Sequence, residues 1–112
     1  MALVSACAPA NETDAPVSIA RGSLTFVSLN PCLDALLVER APSDRILALS
    51  HYSERPGGSR IDPSRLGEFS FTGGTAEEIL ALEPDVVLAS VFLAPATRSA
   101  LERSGVRIEA FD

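Results

Sequence analysis

The sequence predicts an open, mainly parallel α/β sheet of about four strands with helices on both faces. Short and nearly continuous apolar runs, typical of strands buried on both sides, alternate with segments whose apolar residues have helical spacing. Capping signals stand at the ends of those helical segments. Alternation of this kind indicates strand–helix–strand units joined by right-handed crossovers.

The first strand and the first helix meet at the dipeptide Asn30-Pro31. Residues 24–29 (LTFVSL) are the apolar run of the strand. Asn30 can cap the helix, and Pro31 suits its first turn because the N–H that proline lacks would have no partner there. The helix is then predicted from apolar residues that recur every three or four positions: Leu33, Leu36 and Leu37, with Ala35 and Val38 widening the stripe.

The later elements follow the same alternation after a long interruption. A second strand is predicted at 46–49, and residues 51–74 are rich in Gly, Pro, Ser and Arg without periodicity. Thr75 and Glu78 form a capping box that begins a helix ending at Pro84. The remaining segments are a buried strand at 85–90, a helix from Pro95 to Ser104 capped by Gly105, and an edge-type strand at 106–111.

The predicted order of the strands in the sheet is 2-1-3-4. Ligands of open parallel sheets bind beyond the carboxyl ends of the strands, at the point where the strand order reverses. That point lies between the first and third strands, where the chain reaches Asn30 and Ser90. The turn at Asn30-Pro31 therefore brings backbone and side chains to the predicted ligand edge.

Composition excludes several classes of function. The chain has 112 residues, which is the length of a single domain. It has a net charge of −6 and nine arginines but no lysine, so a basic face for nucleic acid is not expected. No run approaches the roughly 20 apolar residues of a membrane span. There is no CxxC motif or Cys/His cluster, and a structural zinc site is therefore not expected. We expect no other metal site and no resident cofactor.

The first 22 residues differ in composition from the body at 23–112. Small residues precede Cys7, and a polar stretch of Ala, Pro, Asn, Ser, Thr and acids follows it. This arrangement resembles the end of a bacterial lipoprotein signal, which makes Cys7 a candidate lipid anchor, although the apolar run before it is shorter than usual. An arbitrary leader is the alternative, and in both cases residues 8–22 are interpreted as a flexible linker.

Four segments together carry a family resemblance: VSLNPCLDALL, RILALSHYS, FTGGTAEEILALEPDVVLAS and RSALERSGVRIEAFD. In this order and spacing, residues 22–112 resemble the N-terminal lobe of periplasmic solute-binding proteins for cobalamin, haem and iron-siderophore chelates. Such a receptor consists of two α/β lobes joined by one long helix. The chain, without the second lobe, is therefore interpreted as a fragment, a truncated gene product or a member that needs a partner chain. The resemblance implies a non-enzymatic protein of the periplasm or cell envelope that hands a metal chelate to an ABC permease.

The resemblance also implies where ligand and permease would bind. The expected ligand-binding residues form a partly exposed apolar rim and are Asn30, Pro31, Tyr52, Phe71, Ser90 and Val91. Tyr52 and Phe71 have the alternative of simply closing the edge of the core. Glu77 matches the acid that pairs with permease arginines in the family, whereas Glu78 serves the capping box.

Departures from the family pattern leave the chelate open. Asp34 stands where the family usually has Thr, Ala35 where it usually has Glu, and Ser90 where a Trp can occur. Two other interpretations are also retained. One is a small α/β enzyme that uses Cys32 as nucleophile and His51 as base, although no carboxylate is placed to orient His51 and no nucleotide-binding motif is present. The other is a one-lobe binding module that acts alone.

Overall fold

The computed structural model describes residues 24–112, so the predicted leader and Cys7 lie outside the described residues. The described part contains five strands and three α-helices. In chain order they are β1 (Phe26–Ser28), α1 (Pro31–Arg40), β2 (Ile46–Ser50), β3 (Phe71–Thr72), α2 (Ala76–Leu82), β4 (Val86–Ser90), α3 (Pro95–Arg103) and β5 (Arg107–Phe111). Three 3-10 turns occur as well, at Ser43–Arg45, His51–Ser53 and Pro63–Glu68.

All five strands form one parallel sheet in the order β3-β2-β1-β4-β5. The predicted order of four strands is confirmed, and the reversal lies between β1 and β4 as expected. The sequence prediction missed β3, which pairs Phe71 with Leu49 and Thr72 with Ser50 at the edge of the sheet. A strand of two residues is too short to show an alternation of apolar and polar residues.

The core consists of two apolar clusters, one on each face of the sheet. Helix α1 covers one face, where Leu37 and Val38 pack with residues of β2 and the loop, namely Ile46, Leu49 and Ile61. Helices α2 and α3 cover the other face, where Ile79 and Leu101 pack with Val27, Ala48 and Val87. The prediction of helices on both faces is therefore confirmed.

Helix α1 begins as predicted but buries a different face. The Asn30 side chain accepts a hydrogen bond from the Cys32 N–H at 2.8 Å, and Pro31 occupies the first turn. Leu36, predicted to face the core, is 48% exposed, whereas Asp34 is completely buried with Leu37 and Val38. The face of α1 that meets β2 therefore contains Asp34 and the residues three and four positions after it.

The ends of the other helices follow their capping residues. The Thr75 hydroxyl caps α2 by accepting the Glu78 N–H at 3.2 Å, and Glu83 ends the helix in the left-handed conformation before Pro84. Gly105, with φ +84°, ends α3, as the sequence predicted. No helix among residues 24–112 is long and apolar enough to cross a bilayer.

Candidate functional site

A groove of about 170 Å³ lies at the carboxyl edge of the sheet. Residues from the ends of β1, β2 and β3 and from the loop after β4 form its wall: Leu29, Ser50, His51, Tyr52, Thr72, Gly73, Gly74 and Leu93. The groove therefore lies at the edge where open parallel sheets bind ligands. We call it the edge groove.

A larger and open depression of about 760 Å³ adjoins the edge groove. It is formed by His51, Tyr52 and the loop residues Glu54–Gly58. His51 and Tyr52 line both the edge groove and this depression. A ligand in either one would therefore contact this dipeptide.

Tyr52 presents a large exposed aromatic surface at this point. Its side chain is 60% exposed, and the His51 ring lies 4.1 Å away between centroids at an interplanar angle of 34°. These two residues are the only tyrosine and the only histidine of the chain. Aromatic faces of this kind stack on flat ligands and contribute about 0.5–1.5 kcal/mol beyond the burial of area.

The turn that carries Tyr52 is held by the buried carboxylate of Asp34. The Ser50 N–H donates to both Asp34 oxygens at 3.1 and 3.2 Å, and the Ser50 hydroxyl donates to Oδ2 at 2.7 Å. The Ser53 hydroxyl donates to the same oxygen at 2.5 Å. Burial raises the pKa of Asp34, and hydrogen bonds from serine hydroxyls act in the opposite direction.

A close backbone approach by Gly58 also constrains the same turn. The Gly58 N–H donates to the Arg55 carbonyl at 2.9 Å, which folds the loop back over the turn. A Cβ added at Gly58 would lie 1.9 Å from the Tyr52 carbonyl oxygen. Only glycine therefore fits at position 58 without displacing the backbone of Tyr52.

The second wall of the edge groove is held by Glu78 at the start of α2. Its carboxylate accepts hydrogen bonds from the Thr72 hydroxyl and the Gly73 N–H, both at 2.8 Å. The predicted capping box is thus altered, because Glu78 reaches past Thr75 to the turn at the end of β3. The Thr72 hydrogen bond, followed by that of Gly73, lowers the pKa of Glu78.

The other predicted ligand residues flank the edge groove or contribute to the core. Asn30 uses its side chain to cap α1, and Pro31 lines a separate depression with Cys32 and Ala35. Phe71 is half-buried and packs against the core cluster on the α1 face. Ser90 accepts the Phe92 N–H at 3.0 Å, and Val91 is 44% exposed. Of the six predicted ligand-binding residues, only Tyr52 lines the edge groove.

The two residues of the rival catalytic interpretation, Cys32 and His51, line different depressions. Cys32 is exposed and lines a groove beside α1 with Arg60, Asp62 and Arg65. His51 lines the edge groove and the depression next to it, and Cys32 lines neither. Within residues 24–112, no three His, Cys, Asp or Glu side chains are grouped so that they could hold a metal ion.

The sequence prediction missed the residues that hold the site. It treats Asp34 only as a departure from a family pattern and does not include Ser50, Ser53 or Gly58. One signal was available: Asp34 precedes Leu37 and Val38 by three and four positions, so an acid shares the apolar face of α1. A buried acid requires donors, and the serines on either side of the His51-Tyr52 dipeptide supply them.

The solved structures that this chain resembles are periplasmic binding proteins. A periplasmic heme-binding protein from Pseudomonas aeruginosa matches with a TM-score of 0.61 and 22% identity, over 79% of this chain and 31% of that one. HutB, a periplasmic heme-binding protein of Vibrio cholerae, gives 0.59 and 20%, over 80% and 34%. BhuT, solved in complex with two hemes, gives 0.62 and 18%, over 80% and 34%.

These matches establish the class of fold. The chain has the fold of one lobe of periplasmic solute-binding proteins, as the sequence resemblance predicted. It spans about a third of the length of the structures it matches. Neither a protein-family model nor a curated protein matches the sequence.

Proposed function

We propose that the chain is the N-terminal lobe of the substrate-binding component of an ABC importer for a metal chelate such as haem, an iron-siderophore or cobalamin. The observation that carries the proposal is the exposed Tyr52 face at the edge groove, on the carboxyl side of a sheet whose solved neighbours include heme-binding proteins. Both the position in the fold and the chemistry of the surface suit a flat, partly apolar ligand.

The lobe supplies one face of such a site. A macrocycle stacked on Tyr52 would cover the His51-Tyr52 dipeptide and the adjoining depression, which is open to solvent. A second lobe would close it. We therefore expect the isolated chain to bind weakly, since one face buries only part of the ligand surface.

The partners and location belong to the same proposal. Glu77 is exposed on the first turn of α2, and its side chain makes no hydrogen bond or ion pair within residues 24–112. An unpaired acid at the rim of the lobe is available to an arginine of a permease. The protein would act in the periplasm or at the cell envelope, attached through Cys7 if that residue is lipidated. A lobe that binds the chelate without a permease is the second candidate.

Titration of the 112-residue chain with hemin tests the ligand assignment. We expect a saturable change in the Soret absorbance of hemin with weak affinity. Tyr52→Ala should weaken binding by about 2-fold to 10-fold, the loss that corresponds to one stacking contact. Tyr52→Phe retains the aromatic face and should bind nearly as well as the parent.

Leu82→Ala is the matched control for these variants. It removes a side chain that is 37% exposed at the end of α2 away from the edge groove, and it should leave the titration unchanged. Affinity that is equal for the parent and Tyr52→Ala, or that falls equally for Leu82→Ala, would mean that hemin binds elsewhere or nonspecifically.

A further inference from the structure

We propose that Asp34 is a positioning residue that holds the His51–Ser53 turn and thereby fixes the orientation of Tyr52 at the edge groove. Asp34 does not line the groove and has no exposed surface. Its effect on a ligand would pass through the turn alone. The ligand part of this inference rests on the proposed function, whereas the fixing of the turn does not.

The hydrogen bonds of Asp34 bracket the dipeptide that they position. Ser50 immediately precedes the His51–Ser53 turn and donates through both its N–H and its hydroxyl. Ser53 is the last residue of the turn and donates through its hydroxyl. One carboxylate on α1 thus holds both ends of a three-residue segment, with Tyr52 between them.

The hydrogen-bonded cluster of Asp34, Ser50 and Ser53 is more than a means of packing α1 against the sheet. No cation forms an ion pair with Asp34 among the described residues, and an apolar side chain would cover this part of the sheet without the desolvation of a carboxylate. A polar cluster whose donors and acceptors are satisfied, in contrast, selects one arrangement of the groups that it joins. The arrangement selected here is that of the turn.

Gly58 constrains the same turn through a second contact, its close approach to the Tyr52 carbonyl. The backbone around Tyr52 is therefore held both by α1 and by the loop. A turn held in this way presents the aromatic face ready for stacking, and little side-chain and backbone freedom is lost when a ligand binds. Loosening either contact should expose the turn to motion without removing the ring itself.

Intrinsic fluorescence tests the positioning role, because the chain has one tyrosine and no tryptophan. All tyrosine emission therefore comes from Tyr52. In Asp34→Ala we expect lower fluorescence anisotropy and faster quenching by acrylamide than in the parent. Ser53→Ala should shift both in the same direction by less, and Asp34→Asn should restore much of the parent values because its amide oxygen can accept the serine hydroxyls.

Leu101→Ala separates positioning from a general loss of stability. Leu101 is fully buried in the cluster on the far face of the sheet, so this variant loses stability without touching the turn. We expect parent-like anisotropy and quenching in folded Leu101→Ala. If Asp34→Ala does not fold, Ser53→Ala compared with Leu101→Ala decides the question. Equal Tyr52 signals in the turn variants and in Leu101→Ala would overturn the positioning role.

Hemin affinity provides the second readout. Where the parent binds hemin, Asp34→Ala should weaken binding at least about threefold with little change in the absorbance of the saturated complex, whereas Leu101→Ala should bind like the parent. Unchanged hemin affinity in Asp34→Ala would contradict a role in ligand binding. Absence of hemin binding by the parent would count against the proposed function, and the fluorescence comparison would still decide whether Asp34 fixes the turn.

Discussion

At the scale of single residues, two acids hold the two walls of the edge groove in different environments. Asp34 is buried, and burial raises its pKa above the usual 3.8. Glu78 is exposed, and the hydrogen bonds from Thr72 and Gly73 lower its pKa below the usual 4.5. Because one carboxyl favours its proton in the folded state and the other disfavours it, the two residues should change the stability of the fold in opposite directions as pH changes.

The pH dependence of unfolding should show this opposition. The folded chain holds the Asp34 proton more tightly than the unfolded chain, so the stability from that proton is present below pH 3.8 and is lost as pH rises through the folded pKa. As pH rises above 3.8, the unfolding free energy of the parent should therefore fall relative to that of Asp34→Asn. Chemical denaturation across a pH series measures it.

Glu78→Gln supplies a comparison of opposite sign. Its pKa is lowered in the folded state, so the stability that ionised Glu78 contributes is present above pH 4.5 and is lost as pH falls through the folded pKa. The unfolding free energy of the parent should therefore rise relative to that of Glu78→Gln as pH rises toward 4.5. A parent-to-Asp34→Asn difference that is flat, or that favours the parent with rising pH, would mean that burial does not dominate at Asp34.

At the scale of elements, the first turn of α2 divides two tasks between adjacent acids. Glu78 is committed to the turn at the end of β3, and Glu77 is exposed without a partner in the described residues. A carboxylate in the first turn is also favoured by the helix dipole by about 0.3–1 kcal/mol. The dipole acts on Glu77 with or without a permease, so docking has to be measured directly.

Glu77→Gln should weaken docking of a complete receptor to its transporter while leaving thermal stability and chelate affinity nearly unchanged. The loss should shrink as salt rises, because a charge contact is screened at high ionic strength. Glu78→Gln should preserve docking and lower helix stability slightly. Docking of Glu77→Gln that equals the parent at low salt would remove this residue from the proposed interface.

The elements also show how far the sequence alone could lead. The strands β1, β2, β4 and β5 and the three α-helices were predictable because each has apolar spacing or capping residues of its own. The strand β3 was not, since its two residues take their conformation from pairing with β2. The burial of Asp34 in place of Leu36 depends on which face of α1 meets the sheet, and the spacing of the leucines alone does not determine that face.

The site was predictable to the same degree. Strand order located the ligand edge, and the His51-Tyr52 dipeptide follows β2 directly, so both could be derived from topology. The close approach of Gly58 to the Tyr52 carbonyl depends on how the loop 54–58 folds back. The hydrogen bonds of Asp34 depend on which face of α1 meets β2 and the His51–Ser53 turn. Such contacts join residues whose sequence spacing carries no periodic signal, and they are visible only in three dimensions.

At the scale of the whole molecule, the carboxyl ends of five parallel strands lie at one edge of the sheet. Asp34 on α1 and Glu78 on α2 form hydrogen bonds with residues at that edge. The two walls of the edge groove are therefore fixed by the same helices that cover the sheet. The cores on the two faces hold these helices in place. The fold thus provides a one-sided surface, to which we propose that a flat metal chelate binds.

Amide chemical shifts of the ¹⁵N-labelled chain, titrated with gallium protoporphyrin IX as a diamagnetic probe, test that claim most directly. We expect the largest perturbations at residues 50–53 and 72–74, with smaller ones in the loop 54–58, at probe concentrations of up to about 1 mM, where weak binding is detectable. Perturbations centred on the Cys32 groove or on β5, or none at that concentration, would contradict the account.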